Sequence, residues 1–113
     1  MLRYRLRLLC VVRALPERYA YLTSQIEEGI LRLIREDFEG RYGVGYTDLV
    51  TQYERPEQKE FRLEGIRVKT TTEEVEVSIW VCRGLFAGFS VSSEVFFEGN
   101  IADFKVEPYN DNK

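Results

Sequence analysis

Residues 75–91 read Val-Glu-Val-Ser-Ile-Trp-Val-Cys, then Arg-Gly, then Leu-Phe-Ala-Gly-Phe-Ser-Val. Two runs rich in β-branched and aromatic residues, parted by two residues of which the second is Gly, specify a tight antiparallel hairpin. Asn or Asp would suit the first turn position better than Arg83, whereas Gly84 supplies the positive φ needed at the second. If Cys82 faces Leu85, an unbroken ladder sets Trp80 opposite Ala87 and Ser78 opposite Phe89 on one side. Val81 with Phe86 and Ile79 with Gly88 then lie on the other side. Val44–Tyr53 and Phe61–Lys69 have the same composition and are separated by the polar break Glu54-Arg55-Pro56-Glu57, so residues 44–91 are expected to form an antiparallel meander.

The first 40 residues carry two other periodicities. From Leu2 to Val12 the even positions read Leu2, Tyr4, Leu6, Leu8, Cys10 and Val12, with Arg3, Arg5 and Arg7 between them; this alternation predicts an N-terminal strand. Leu22, Ile26, Ile30, Leu33, Ile34 and Phe38 recur at spacings of three and four, which predicts one long helix. Pro16, or Ser24 with Glu27, is placed to start it and Gly40 to stop it. Glu28, Arg32 and Glu36 lie on its opposite, solvated face. The fold class is therefore α+β: an N-terminal strand, one long helix, then an antiparallel meander packed on the helix. The chain is read as a single domain over residues 1–113, with 110–113 a frayed tail.

On the unbroken hairpin register, large apolar side chains appear on both faces, and one helix covers only one of them. The second face then needs its own cover. Candidates are the tail with Phe96, Phe97, Ile101, Phe104 and Val106, a homodimer, or a partner protein.

The chain of 113 residues holds 16 basic and 19 acidic side chains, a net charge of −3 with no general attraction to nucleic acid or anionic membrane. Residues 1–18 hold five arginines and one glutamate, so the remainder stands at −7. No apolar run approaches the ~20 residues of a membrane span, and the start lacks the segregated basic and apolar regions of a secretory signal. A cytoplasmic location is expected. Cys10 and Cys82 are far apart in apolar runs and read as buried free thiols rather than as a redox or zinc pair.

There is no histidine. Ser-His and Cys-His nucleophile pairs, histidine acid–base catalysis and histidine metal ligation are thereby excluded. Gly40, Gly43 and Gly45 follow the expected helix instead of opening one and lack a following Gly-Lys-Ser/Thr, so they read as a helix stop and loop, not a phosphate cradle. Glu73, Glu74 and Glu76 alternate across a strand and match no ligand spacing. Arg3, Arg5 and Arg7 on a strand would form a row roughly 6–7 Å apart on one face. With no accompanying aromatic platform, the row reads as solvent-facing or ion-paired, not as a nucleic-acid site. No catalytic residue, metal or cofactor is expected, and the protein is not read as an enzyme.

The order strand, long helix, antiparallel meander resembles the cystatin-type and ketosteroid-isomerase-like cone folds. The turn Gln52-Tyr53-Glu54-Arg55-Pro56-Glu57 lacks the Gln-x-Val-x-Gly of cystatins, and an isomerase-like site would need an acid in an apolar pocket, for which Asp48 is the nearest choice. Val77 to Phe89, an apolar strand followed by Gly-Leu, a small residue, Gly and an aromatic, is similar to a hairpin of small acidic bacterial immunity proteins of contact-dependent and polymorphic toxin systems. That resemblance implies a non-catalytic binder whose acidic surface docks on a basic toxin domain. The expected function is a cytoplasmic protein–protein interaction module of immunity or inhibitor type. A cone-fold small-molecule binder or enzyme and a self-associating structural protein are the alternatives. A protein partner or a homodimer is expected, with no nucleic acid and no membrane. Trp80, Tyr46, Tyr53, Arg55 and Glu74 are the candidate partner-binding residues, chosen by side-chain type and expected exposure.

Overall fold

Leu8, Leu9, Val11, Val12 and Leu15 are all buried, and their spacing of one, three, four and seven residues is that of a single helical face. The computed structural model describes residues 2–28, 31–36, 41–46, 52–98 and 100–109; the side chains of residues 2–4, 31–36 and 41–46 lie outside that description. In it, Leu2–Val12 is a helix, α1, not the strand that the alternation predicts. Leu9 and Val11 decide between the two periods: both are apolar at odd positions, so an alternating strand would expose them, whereas a helix buries them beside Leu8 and Val12. Leu6, an even position, is left 52% exposed.

The expected long helix is also shorter. A 3-10 turn at Glu17–Tyr19 leads into α2, Ala20–Glu27, which buries Leu22, Gln25 and Ile26. The sequence places Gly29 just beyond the Glu28 cap, where a continued helix would lose ~1 kcal/mol relative to Ala. Leu31–Glu36 then forms strand β1 and Arg41–Tyr46 forms β2. Leu31, Leu33 and Ile34 fit a short strand as well as a helical stripe, and pairing with β2 selects the strand. Gly43 and Gly45 accordingly sit inside β2, not in a loop. Phe38, Gly40, Asp48 and the expected frayed tail 110–113 lie outside the described residues.

The remaining strands are β3 Phe61–Lys69, β4 Glu74–Cys82, β5 Leu85–Val91 and a two-residue β6, Lys105–Val106. Together with β1 and β2 they make one antiparallel sheet in the order β1-β2-β5-β4-β3-β6. The expected α+β class with an antiparallel meander is present in β3-β4-β5. The β4–β5 turn has positive φ at both Arg83 (55°) and Gly84 (79°), the conformation that matches hairpin twist.

Two bulges decide which side chains face the helices. Cys82 opposes Leu85 and Val81 opposes Phe86, but Trp80 then opposes Gly88, Ile79 opposes Phe89 and Ser78 opposes Ser90, leaving Ala87 as the extra residue on β5. The extra residue reverses the facing of all that follows, so Phe89 and Val91 join Phe86 on the buried side. In β3, Gly65 at φ 77° marks a second bulge that keeps Leu63 and Ile66 on that side despite their spacing of three. The inward faces Val75, Val77, Ile79 and Val81 of β4 and Leu63, Ile66 and Val68 of β3 meet α1 and α2 in one core.

The expectation of two large apolar faces is thus overturned by the Ala87 bulge. The tail covers the same face as the helices: a 3-10 turn at Glu94–Phe97 inserts Phe96 and Phe97 into the core, with ring centroids 5.3 Å apart and Phe97 6.4 Å from Phe89.

Candidate interaction surface

The other face of β3-β4-β5 carries Arg62, Glu64, Arg67 and Lys69, then Glu74, Glu76, Ser78, Trp80 and Cys82, then Leu85 and Ser90, all exposed or half-buried. It divides into two ends. Toward the β3–β4 turn it is a charge ladder: Lys69 opposes Glu74 and Arg67 opposes Glu76, with Arg67 3.6 Å from Glu74 and Lys69 3.2 Å from Glu107. These pairs are solvated and contribute at most ~1 kcal/mol each. Toward the β4–β5 turn the surface is aromatic and apolar. Arg62 and Trp80 are direct cross-strand partners, and the guanidinium carbon stands 5.1 Å from the indole centroid, a cation–π stack. Cys82, Leu85 and Gly88 flank Trp80 through the β4–β5 ladder.

Next to this end, residues 52–58 fold over the hairpin tip. Arg55 N–H donates to Arg83 O at 2.7 Å, Glu54 reaches the Arg83 guanidinium at 3.6 Å, and the Arg55 guanidinium lies 5.5 Å from the Tyr21 ring. A Cβ at Gly84 would stand 3.1 Å from Arg55 Cγ and 3.2 Å from Tyr53 O, so this loop seats where a side chain is missing. Tyr53 hydrogen-bonds Glu28, which raises its phenol pKa. Burial raises that of Tyr21.

Behind the tip, Gln25 is fully buried; its Nε2 donates to Gly84 O at 2.8 Å and its Oε1 accepts from Phe86 N–H at 3.0 Å. The β2–β5 ladder covers only Gly88–Ser90, so Gln25 takes the place of a strand partner at Phe86 and fixes α2 to the hairpin.

The five residues nominated from the sequence do not form one site. Trp80 sits on the open face; Tyr53 and Arg55 hold the neighbouring loop to the tip and α2; Glu74 belongs to the charge ladder, about 20 Å along β4 from Trp80 at the usual strand rise. Tyr46 pairs through its backbone with Leu31 in β1–β2, and its side chain lies outside the described residues. The residue missed is Arg62, whose place opposite Trp80 follows once β3 is paired with β4.

The arginine row is corrected with the helix. Arg5 Nε and a terminal nitrogen donate to Ile26 O and Glu27 O at 3.0 and 2.7 Å, capping the end of α2, and Arg7 Nε donates to Phe96 O at 2.8 Å, tethering the tail. The side chain of Arg3 lies outside the described residues. Glu73 accepts from the Ser93 hydroxyl, and among the described residues no three His, Cys, Asp or Glu side chains gather as a metal site. Cys10 and Cys82 are unpaired and half-buried, and burial raises the Cys10 pKa. Among the described residues no helix is long and apolar enough to cross a membrane. No protein-family model matches the chain, and no curated protein and no solved structure matches it.

Proposed function

We propose that this domain is a non-catalytic protein-binding module that engages its partner through the open sheet face around Trp80 and Arg62. The carrying observation is the Arg62–Trp80 stack at 5.1 Å, with Trp80 half-buried on the sheet face opposite the helices and the Phe96–Phe97 turn. Trp and Arg are the side chains that most often carry interface energy. The reading of the partner as a basic protein, in the manner of immunity and inhibitor proteins, rests on the −7 balance beyond residue 18 and on the hairpin resemblance. The described interior between helices and sheet contains one buried polar side chain, Gln25, and both its amide atoms are engaged, which favours a binding surface over a small-molecule pocket.

The test is a pull-down from native lysate with the wild-type chain, Trp80→Ala and Glu76→Ala, all verified as folded by circular dichroism. A stoichiometric protein retained by wild type and Glu76→Ala but lost with Trp80→Ala supports the reading. Equal retention by all three, or no stoichiometric protein at all, overturns it.

A further inference from the structure

The β3–β4 turn and the C-terminal turns enclose a cleft of about 120 Å³ at the end of the molecule away from Trp80. Val95 and Phe104, both half-buried, form its apolar base, and Thr71, Thr72, Glu98 and Asp103, all exposed, stand around its mouth. Local bonds hold both walls. Thr70 Oγ1 accepts from Glu73 N–H at 3.1 Å and Thr70 N–H donates to Glu73 O at 2.9 Å, closing the turn. Asn100 Oδ1 accepts from Ala102 N–H at 3.0 Å, and Phe104 stacks on buried Phe96 at 5.8 Å. The cleft is thus anchored to the core on one side and to the sheet on the other.

Among the described residues no basic side chain lines it, and neither Glu98 nor Asp103 has an ion pair. This differs from the neighbouring ladder, where Glu74 and Glu107 each have a cation within 4 Å. An apolar base with an aromatic ring, two unneutralised carboxylates and hydroxyl acceptors is complementary to an ammonium on an alkyl stem. The stem covers Val95 and Phe104, and the ammonium, with three donors, meets the carboxylates and threonines. A guanidinium is broader and planar, and a cleft of about 120 Å³ suits the compact ammonium better.

We infer that this cleft receives a lysine side chain of a protein partner. A protein-borne lysine is favoured over a free amine because the chain beyond residue 18 carries a balance of −7, which favours a basic macromolecule. The site lies apart from the Trp80 surface; that its occupant belongs to a protein rests on the same acidic balance as the proposed function.

The experiment is an amide-shift NMR titration of the intact chain with lysine capped at both backbone ends, with the same compound acetylated on Nε, and with cadaverine. The capped lysine is expected to saturate with a dissociation constant on the order of 1 mM, shifting the amides of Thr70–Thr72, Glu98, Asp103 and Phe104. Nε-acetylation, or the double substitution Glu98→Gln with Asp103→Asn, is expected to weaken it about tenfold, a loss of ~1.4 kcal/mol. Trp80→Ala is expected to leave the titration unchanged, so its failure is separable from that of the proposed function. Shifts spread over Glu54, Glu57 and Glu60, equal binding of the acetylated compound, no saturation, or tighter binding of cadaverine than of capped lysine would each overturn the proposal.

Discussion

Replacing Gln25 by Leu isolates the link between α2 and the hairpin tip. Leu has nearly the volume of Gln, so no cavity opens, but the change removes the donor to Gly84 O and the acceptor from Phe86 N–H, at 2.8 and 3.0 Å. Gly84 and Phe86 are both buried, and the β2–β5 ladder does not reach Phe86, so neither group recovers a partner in sheet or water. At a central ~2 kcal/mol for each of the two orphaned groups, less ~1.5 kcal/mol returned by burying Leu in place of an amide, the net loss is about 2–3 kcal/mol. At roughly 4 °C per kcal/mol for a domain of this size, Tm should fall by about 8–12 °C. Urea unfolding followed by circular dichroism reads this as a lower midpoint at unchanged slope. A loss under ~0.5 kcal/mol, or a gain, would refute the claim that Gln25 substitutes for a strand partner.

Other predictions follow from single residues. Arg83→Asn relieves a non-glycine residue held at φ 55° and should raise stability by ~0.5–1 kcal/mol in urea titration, since its solvated contact with Glu54 contributes little. Gly84→Ala should lower it in the same assay, because φ 79° and the 3.1 Å approach of Arg55 Cγ both oppose a Cβ. Arg5→Met keeps the side-chain stem but removes two bonds to the α2 carbonyls, and should cost ~1–3 kcal/mol with faster amide exchange in α2. Tyr53 has a folded pKa above the ordinary 10.0, so its bond to Glu28 contributes fully below that value and is lost as pH rises through the folded pKa; Glu28→Gln should flatten the alkaline loss of stability in melts above pH 10.

What was legible in the sequence is the part where one periodicity stands alone. Phe61–Lys69 and Leu85–Val91 are strands with the expected ends, and Arg83-Gly84 is the expected turn. The first 36 residues mislead because two periods fit: Leu2–Val12 alternates, yet Leu9 and Val11 complete a helical face, and Leu31–Glu36 extends a three-four stripe while also supplying a strand. Tertiary contacts decide between them. The Ala87 bulge has no composition signal beyond Gly88 next to it, yet it sends Phe89 to the core and removes the argument for a second apolar face. Trp80 was legible as a surface residue because Glu74 and Glu76 share its parity on β4, whereas Arg62 required knowing which strand lies beside it. The chemistry of Tyr53 and Arg55 marks both as binding residues, and the fold spends much of it on its own hairpin tip.

The most direct test of the Trp80 surface is calorimetric affinity for the captured partner with wild type, Trp80→Ala, Arg62→Ala and Glu76→Ala. Trp80→Ala is expected to lose about 2 kcal/mol or more, roughly thirtyfold, Arg62→Ala to lose less, and Glu76→Ala to keep wild-type affinity. Wild-type affinity for both Trp80→Ala and Arg62→Ala would contradict it and place the partner elsewhere on the molecule.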